Sequence, residues 1–249
     1  MITETCLIGH GIPSVSNDEL VERWPLTAPL GMILDGKIEL LSMEEFVPFR
    51  GHAWPRYDYF KVDNIPLGAN AYLTASGTMK AAELLGLRWA VSAGLGGIYP
   101  KLQGESVCAD IYALGNSPVK LMATAFKDMM DYEATFGQLR SQGSFWYFLE
   151  PFEPGYIFKI DATIHAMGTP IGTRKGGLFL RCIPEEKRIH NLELLARGID
   201  YGHEMHEAGQ HFHPAVNGFF DRETNGYSSL IQFEAIVSNV EFLLQNSHL

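Results

Sequence analysis

The densest group of chemically capable side chains is Tyr201-Gly202-His203-Glu204-Met205-His206-Glu207, followed by His211 and His213. Imidazoles and carboxylates this near one another invite a zinc reading. A helical zincin motif needs two histidines four apart, with a glutamate directly after the first. His203 and His206 are three apart. Such a pair still shares a helix face, so a metal role stays open beside the plainer reading, an exposed helix end running into a loop. Cys6, Cys108 and Cys182 are far apart and odd in number, which suits neither a disulfide framework nor a zinc ribbon. Each lies in an apolar stretch and reads as a buried free thiol. Gly94-Leu95-Gly96-Gly97 is a Gly-rich loop, and by itself that requires no more than a tight turn.

The elements that must position these groups follow from hydrophobic period. Thr5 to Ile8 reads as a short buried strand ending at Gly9-His10-Gly11. Gly31 to Leu34 and Lys37 to Leu41 flank Asp35-Gly36, a hairpin signal. Tyr57 to Val62 alternates like a strand. From Thr78 the pattern turns helical and ends at Gly86. Arg88 to Ser92 and Val119 to Ala123 are buried strands, and a helix is expected from about Lys127 to Leu139. Phe145 to Leu149 and Gly177 to Cys182 are further strands. Ile189 to Ile199 and Leu230 to Val240 carry apolar residues at helical spacing. Strands alternating with helices predict an α/β fold: one three-layer α/β/α domain over residues 1–249, with a central mixed sheet and C-terminal helices. Sites in such folds lie at the C-terminal ends of strands.

Composition narrows the function. The chain has 249 residues, 46% of them hydrophobic, enough for one substantial core. Its formal net charge of −10 argues against a nucleic-acid partner but leaves room for a small anion held by a few local cations. No apolar run approaches a membrane span, and Met1-Ile2-Thr3-Glu4 does not begin a signal peptide. A soluble cytoplasmic protein is expected.

The order of several short motifs then identifies a resemblance. ETCLIGHGIP at Glu4 to Pro13, MILDGKIELLS at Met32 to Ser42, and TASGTMKAAELLGLRWAVSAGLGGIY at Thr74 to Tyr99 follow one another. Cys108-Ala109-Asp110, Ala125-Phe126-Lys127-Asp128, Ile183-Pro184-Glu185 and the segment Gly226 to Asn239 come after them. Together they resemble the pseudouridine-5'-phosphate glycosidases, the indigoidine synthase A-like family, which includes C-glycosynthases of pigment and C-nucleoside pathways. The resemblance implies that Glu4 is an acid, Lys61 a first lysine that also touches substrate, Asp110 the ligand of Mn²⁺ or Mg²⁺, and Lys127 a Schiff-base nucleophile. The spacing from Asp110 to Lys127 is kept, whereas the chain is shorter than the family between Lys61 and Thr74. The resemblance further implies a phosphosugar and a ring aglycone as small-molecule partners, and a homotrimer.

These residue types suit the chemistry. A C-glycosidic bond has no leaving oxygen to protonate, so two carboxylates cannot cut it in the usual way. An amine that condenses with the sugar aldehyde makes C1 an electron sink. That amine must be neutral, and apolar neighbours such as Ala123, Ala125 and Phe126, with a helix beginning at Lys127, would lower its pKa. A carboxyl such as Glu4 can move the proton that opens or closes the sugar ring, and Asp110 can hold a hard cation whose shell water completes. Without the resemblance, Glu4 reads as a solvated charge, Asp110 as a helix cap and Lys127 as a surface lysine.

Where the chain departs from the family, its substrate contacts change. Thr74 matches one phosphate-binding threonine, Ser92 keeps a hydroxyl for another, and Tyr99 replaces a histidine before Pro100-Lys101. Gln232 stands at the asparagine that reads the uracil edge, Arg181 at a second asparagine and His213 at a threonine. These changes predict a ring other than uracil. The leading expectation is a C-glycosynthase or C-glycosidase acting in C-nucleoside or C-glycoside biosynthesis. Beside it stand a catabolic pseudouridine-5'-phosphate glycosidase, a silent sugar-phosphate-binding homologue and a hydrolase using the histidine cluster.

Overall fold

The computed structural model describes residues 1–99, 107–151, 153–160 and 176–246. Among these, the strands form one mixed nine-stranded sheet. They are β1 (Ile2–Thr3), β2 (Leu30–Leu34), β3 (Lys37–Leu41), β4 (Arg56–Tyr57), β5 (Ala71–Leu73), β6 (Trp89–Val91), β7 (Lys120–Thr124), β8 (Trp146–Phe148) and β9 (Gly177–Arg181). Their order is β4-β5-β2-β1-β6-β7-β9-β8, with β3 paired to β2. From β2 through β1, β6, β7 and β9 to β8 neighbours run parallel; β2 is antiparallel to β3 and β5. The expected α/β class with a central mixed sheet and C-terminal helices is what the chain adopts. Asp35 and Gly36, both at positive φ, close the β2–β3 hairpin.

The helices are α1 (Cys6–His10), α2 (Asn17–Arg23), α3 (Met43–Phe46), α4 (Tyr59–Val62), α5 (Ala75–Leu84), α6 (Ala109–Asn116), α7 (Tyr132–Ser141), α8 (Leu192–Glu207), α9 (Phe212–Glu223) and α10 (Tyr227–Gln245). Helix α5 packs on β1, β5 and β6, and α10 on β6, β7 and α1. Among the described residues no helix is long and apolar enough to cross a membrane.

Three local expectations are corrected. Cys6 to Ile8 is helical, and the strand is Ile2–Thr3; so short an apolar run carries no period that separates the two. Only Arg56–Tyr57 of the Tyr57 to Val62 segment's neighbourhood is strand, because Asp58 then caps α4 by accepting from Phe60 N and Lys61 N at 3.1 and 3.0 Å. Helix α7 starts at Tyr132, five residues beyond Lys127, because Asp131 is its N-cap and accepts from Ala134 N.

Candidate active site

Strands β1, β6 and β7 are adjacent and parallel, so their C-terminal ends open on one edge of the sheet. Glu4 follows β1, Ser92 follows β6 and Lys127 lies three residues past β7. Topology alone thus gathers residues more than a hundred positions apart. The Glu4 N–H is tied to Val91 O at 2.9 Å. Ala125 turns the chain with φ at 57°, and the Lys127 N–H bonds Leu95 O at 2.9 Å, so the Gly94–Gly97 loop and the Lys127 loop hold each other.

The cleft at this edge has two lobes. One, of about 400 Å³, lies against α9 and α10 and is lined by His10, Asn217, Asp221, Ser228, Ser229 and Gln232. The other, of about 610 Å³, lies against the start of α5 and is lined by Lys61, Thr74, Ser76, Tyr99, Asp110 and His213. Glu4, Cys6, Arg56, Gly94, Lys127 and Pro214 line both and form the junction.

Burial sets the electrostatics of the junction. It pushes Glu4 up to about 7, against the lowering effects of Lys127 and of a hydrogen bond from Ser92. It pulls the Lys127 amine down, while the negative charges of Glu4 and Asp110 act the other way. A helix N-terminus plays no part in this, since α7 begins too far away. Among the described residues the Lys127 amine has no hydrogen-bond or ion-pair partner, and it lines both lobes of the cleft. Cys6, also at the junction, is an inert thiol pushed up to about 12 by burial.

The expected site residues separate into three groups. Glu4, Lys127, Asp110, Thr74, Tyr99 and Gln232 all line the cleft. Lys61 lines the α5 lobe from the exposed helix α4, where its amine bonds Arg56 O at 3.4 Å. Ser92 reaches neither lobe: it is fully buried beneath Glu4, donates its hydroxyl to the Glu4 carboxylate, and so positions the acid. Arg181 is outside the cleft as well, paired with Glu150 at 2.8 Å and bonded to Ser238. Arg56 was absent from the sequence expectations, yet with Lys127 it faces both lobes. The shortfall in length between Lys61 and Thr74 was the signal for it, because a match shifted back toward Arg56 reduces that gap.

Asp110, buried to 6% exposure, accepts from Ser76 N at 3.0 Å and Gly96 N at 2.9 Å. Asp110 lines the α5 lobe, and a carboxylate oxygen can accept more than one hydrogen bond or bind a cation beside one. Among the described residues no three His, Cys, Asp or Glu side chains cluster as a ligand set. The donor chemistry therefore fits a hard cation held by one carboxylate and otherwise hydrated, and not a zinc site of several side chains. His203 packs on Phe212 at 5.0 Å, and His211 and His213 line the α5 lobe without gathering round one point. Burial, with Lys127 and Arg56, pushes His213 well below the ordinary histidine range.

Residues 62–147 match the family model described as indigoidine synthase A like protein. The pseudouridine-5'-phosphate glycosidase of Caldanaerobacter subterraneus subsp. tengcongensis is 28% identical over 152 residues, 56% of this chain and 49% of that protein. The one from Roseobacter denitrificans is 26% identical over 220 residues, 77% of this chain and 70% of that protein. In the first of these alignments, as in most of them, the chain spans about half the length of the curated relatives it matches. Among solved structures, an indigoidine synthase A-like protein from Thermotoga maritima superposes with a TM-score of 0.75 at 20% identity, covering 96% of this chain and 89% of that one. The prealnumycin C-glycosynthase AlnA, solved with ribulose 5-phosphate, gives 0.72 at 16% identity, covering 96% and 87%.

Proposed function

We propose that the chain is a divergent member of the indigoidine synthase A-like family, whose model it matches over residues 62–147, and that it forms or cleaves a carbon–carbon bond between ribose 5-phosphate and a planar ring, through a Schiff base on Lys127. The observation that carries this reading is one unpartnered amine, lowered in pKa by burial, at the junction of two lobes and beside a carboxyl raised to about 7. The α5 lobe takes the sugar phosphate, with Arg56 and Lys61 supplying positive charge; the α9–α10 lobe takes the ring. Ser76 and Gly77 N–H are already satisfied by Asp110 and Thr74, so the two cations, and not the first turn of α5, neutralise the phosphate.

In the direction of synthesis, Glu4 as the acid form donates a proton to the ring oxygen as the sugar opens. The Lys127 amine adds to the C1 aldehyde and water leaves, which gives an iminium. A nucleophilic ring carbon attacks C1, forming the carbon–carbon bond, and the electron pair passes to nitrogen. The proton lost by that ring carbon passes to the C1-bound lysine nitrogen, the sugar O4–H gives its proton to the Glu4 carboxylate, and O4 bonds C1 as the C1–N bond breaks, so that lysine leaves as a neutral amine and Glu4 regains its acid form. Cleavage is the same sequence reversed. Asp110 would hold a Mn²⁺ or Mg²⁺ ion, whose positive charge would neutralise developing negative charge on substrate oxygens. The ring lobe offers Gln232, Asn217 and Asp221 as polar contacts for an aglycone in either direction.

Borohydride added with ribose 5-phosphate is expected to attach one pentose phosphate to Lys127, found by peptide mass mapping. Lys127→Ala should abolish the label while keeping the wild-type melting temperature. Labelling of a different lysine, or none, sinks the assignment.

A further inference from the structure

The polar atoms of the α9–α10 lobe have a definite hydrogen-bonding sense. Gln232, 4% exposed, donates its Nε2 to Ser228 O at 3.2 Å. A backbone carbonyl can only accept, so the NH₂ must face it, which turns Gln232 Oε1 the other way, as an acceptor. The Asn217 Nδ2 is 3.3 Å from His213 Nε2, a pairing that requires an unprotonated ring nitrogen and leaves Asn217 Oδ1 as a second acceptor. Asp221 Oδ1 accepts from the Ser228 hydroxyl and from Ser229 N, both at 3.2 Å. Its Oδ2 has no hydrogen-bond partner among the described residues. The two serine hydroxyls that could have donated to a ligand are spent, one on Asp221 and one on Gly226 O at 3.1 Å. All of these side chains except His213 line the lobe, and the cations Arg56 and Lys127 stand at its junction end, shared with the α5 lobe.

We infer that this lobe selects a ring bearing N–H donors, an amino-substituted planar heterocycle, with Asp221 and Gln232 as its specificity-determining acceptors. The inference rests on the reading of the cleft as a site of carbon–carbon bond chemistry at Lys127. Uracil has two N–H groups, but a carbonyl oxygen lies beside each of them, so turning one N–H toward an acceptor of the lobe brings a carbonyl oxygen toward its neighbour. At most one of Asp221 and Gln232 Oε1 would then meet an N–H while the other met a carbonyl oxygen, and that acceptor would lose water without gaining a partner. An amino group satisfies them. The same substituent, conjugated into the ring, pushes electron density onto the adjacent carbon, which is the atom that must attack C1. Recognition and activation therefore ask for one substituent. Asp221 also accepts from Ser229 N in the first turn of α10, and a capping role alone would leave ring preference untouched.

The test uses the full chain with ribose 5-phosphate and either 2,4-diamino-6-hydroxypyrimidine or uracil, following adduct formation by mass spectrometry. The diamino ring is expected to be used about tenfold better than uracil, the difference made by one hydrogen bond to a charged acceptor. Asp221→Asn places an NH₂ where Oδ2 was and should reduce that preference about tenfold. Uracil used as well as or better than the diamino ring by the wild type overturns the inference, and so does an unchanged preference in a folded Asp221→Asn protein. If the variant does not fold, the wild-type ratio alone decides. Borohydride labelling of wild-type Lys127 by ribose 5-phosphate separates the two claims: label without ring preference overturns this inference alone, and absence of label overturns the underlying function.

Discussion

Glu4 and Lys127 shape each other. Each is desolvated and each is a charge that favours the other's ionised form; for both, these effects oppose each other and desolvation is the larger. Glu4 rises from 4.5 to about 7 and so binds its proton more tightly in the folded protein than in the unfolded chain. Its contribution to stability is complete below about pH 4.5 and is lost as pH rises through about 7. Glu4→Gln removes the buried carboxylate, so it should leave stability near the wild-type value at pH 4 and raise it by on the order of 1–3 kcal/mol at pH 8. Activity should fall by roughly 100-fold or more, as expected for loss of an acid–base group. Urea titrations at the two pH values check the first point, and a variant equally destabilised at both would refute it. The sequence made Glu4, Asp110 and Lys127 legible because each sits inside a motif of neighbours. Arg56 escaped notice because Lys61, a lysine five residues on, drew the match, and the strand-to-helix turn at Asp58 that points one inward and leaves the other exposed has no sequence period.

The β2–β3 hairpin, β7, β9, α8 and α10 are long enough to show their period and lie where expected to within a few residues, whereas the two-residue β1 was expected at Thr5 to Ile8 and α9 was not expected. The short elements α1 and α4 show no such period, and they are decided by caps and tertiary contacts. The loop from Ala125 to Asp131 shows the difference most clearly. Its apolar spacing continues into α7, yet Asp128 is committed elsewhere: its carboxylate accepts from Tyr156 N at 2.6 Å and Ile157 N at 3.0 Å. This ties the segment after Lys127 to a stretch nearly thirty residues away and holds it out of the helix. Asp128→Asn keeps the shape but turns one acceptor into a donor facing a backbone N–H. It is expected to cost about 1–3 kcal/mol of stability and to lower kcat with little change in KM, because Lys127 loses its fixed position while both lobes stay intact. An unchanged urea midpoint would show that these two hydrogen bonds do not hold the loop.

The molecule as a whole carries a net charge of −10, yet Lys127, Arg56 and Lys61 line its cleft, a local group of cations for the proposed phosphosugar. Next to the mouth of the α5 lobe lies a different surface. Phe60 on α4 is 51% exposed, Tyr112 on α6 is 42% exposed, and Val107, which lines the lobe, is 46% exposed. The Phe60 and Tyr112 rings are 4.7 Å apart, with Tyr59 5.6 Å from Tyr112. Aromatic rings grouped in this way at a surface favour burial against another protein face. We propose that a second copy covers this patch in the homotrimer that the family resemblance implies, closing around a threefold axis. Light scattering should then give about three times the chain mass of 27.8 kDa. Phe60→Lys combined with Tyr112→Lys should shift it to the single-chain mass, with a fold retained by circular dichroism, since neither side chain belongs to the core. A wild-type protein that stays at 27.8 kDa at micromolar concentration would refute the trimer. A double variant that remains trimeric would place the contact on another face.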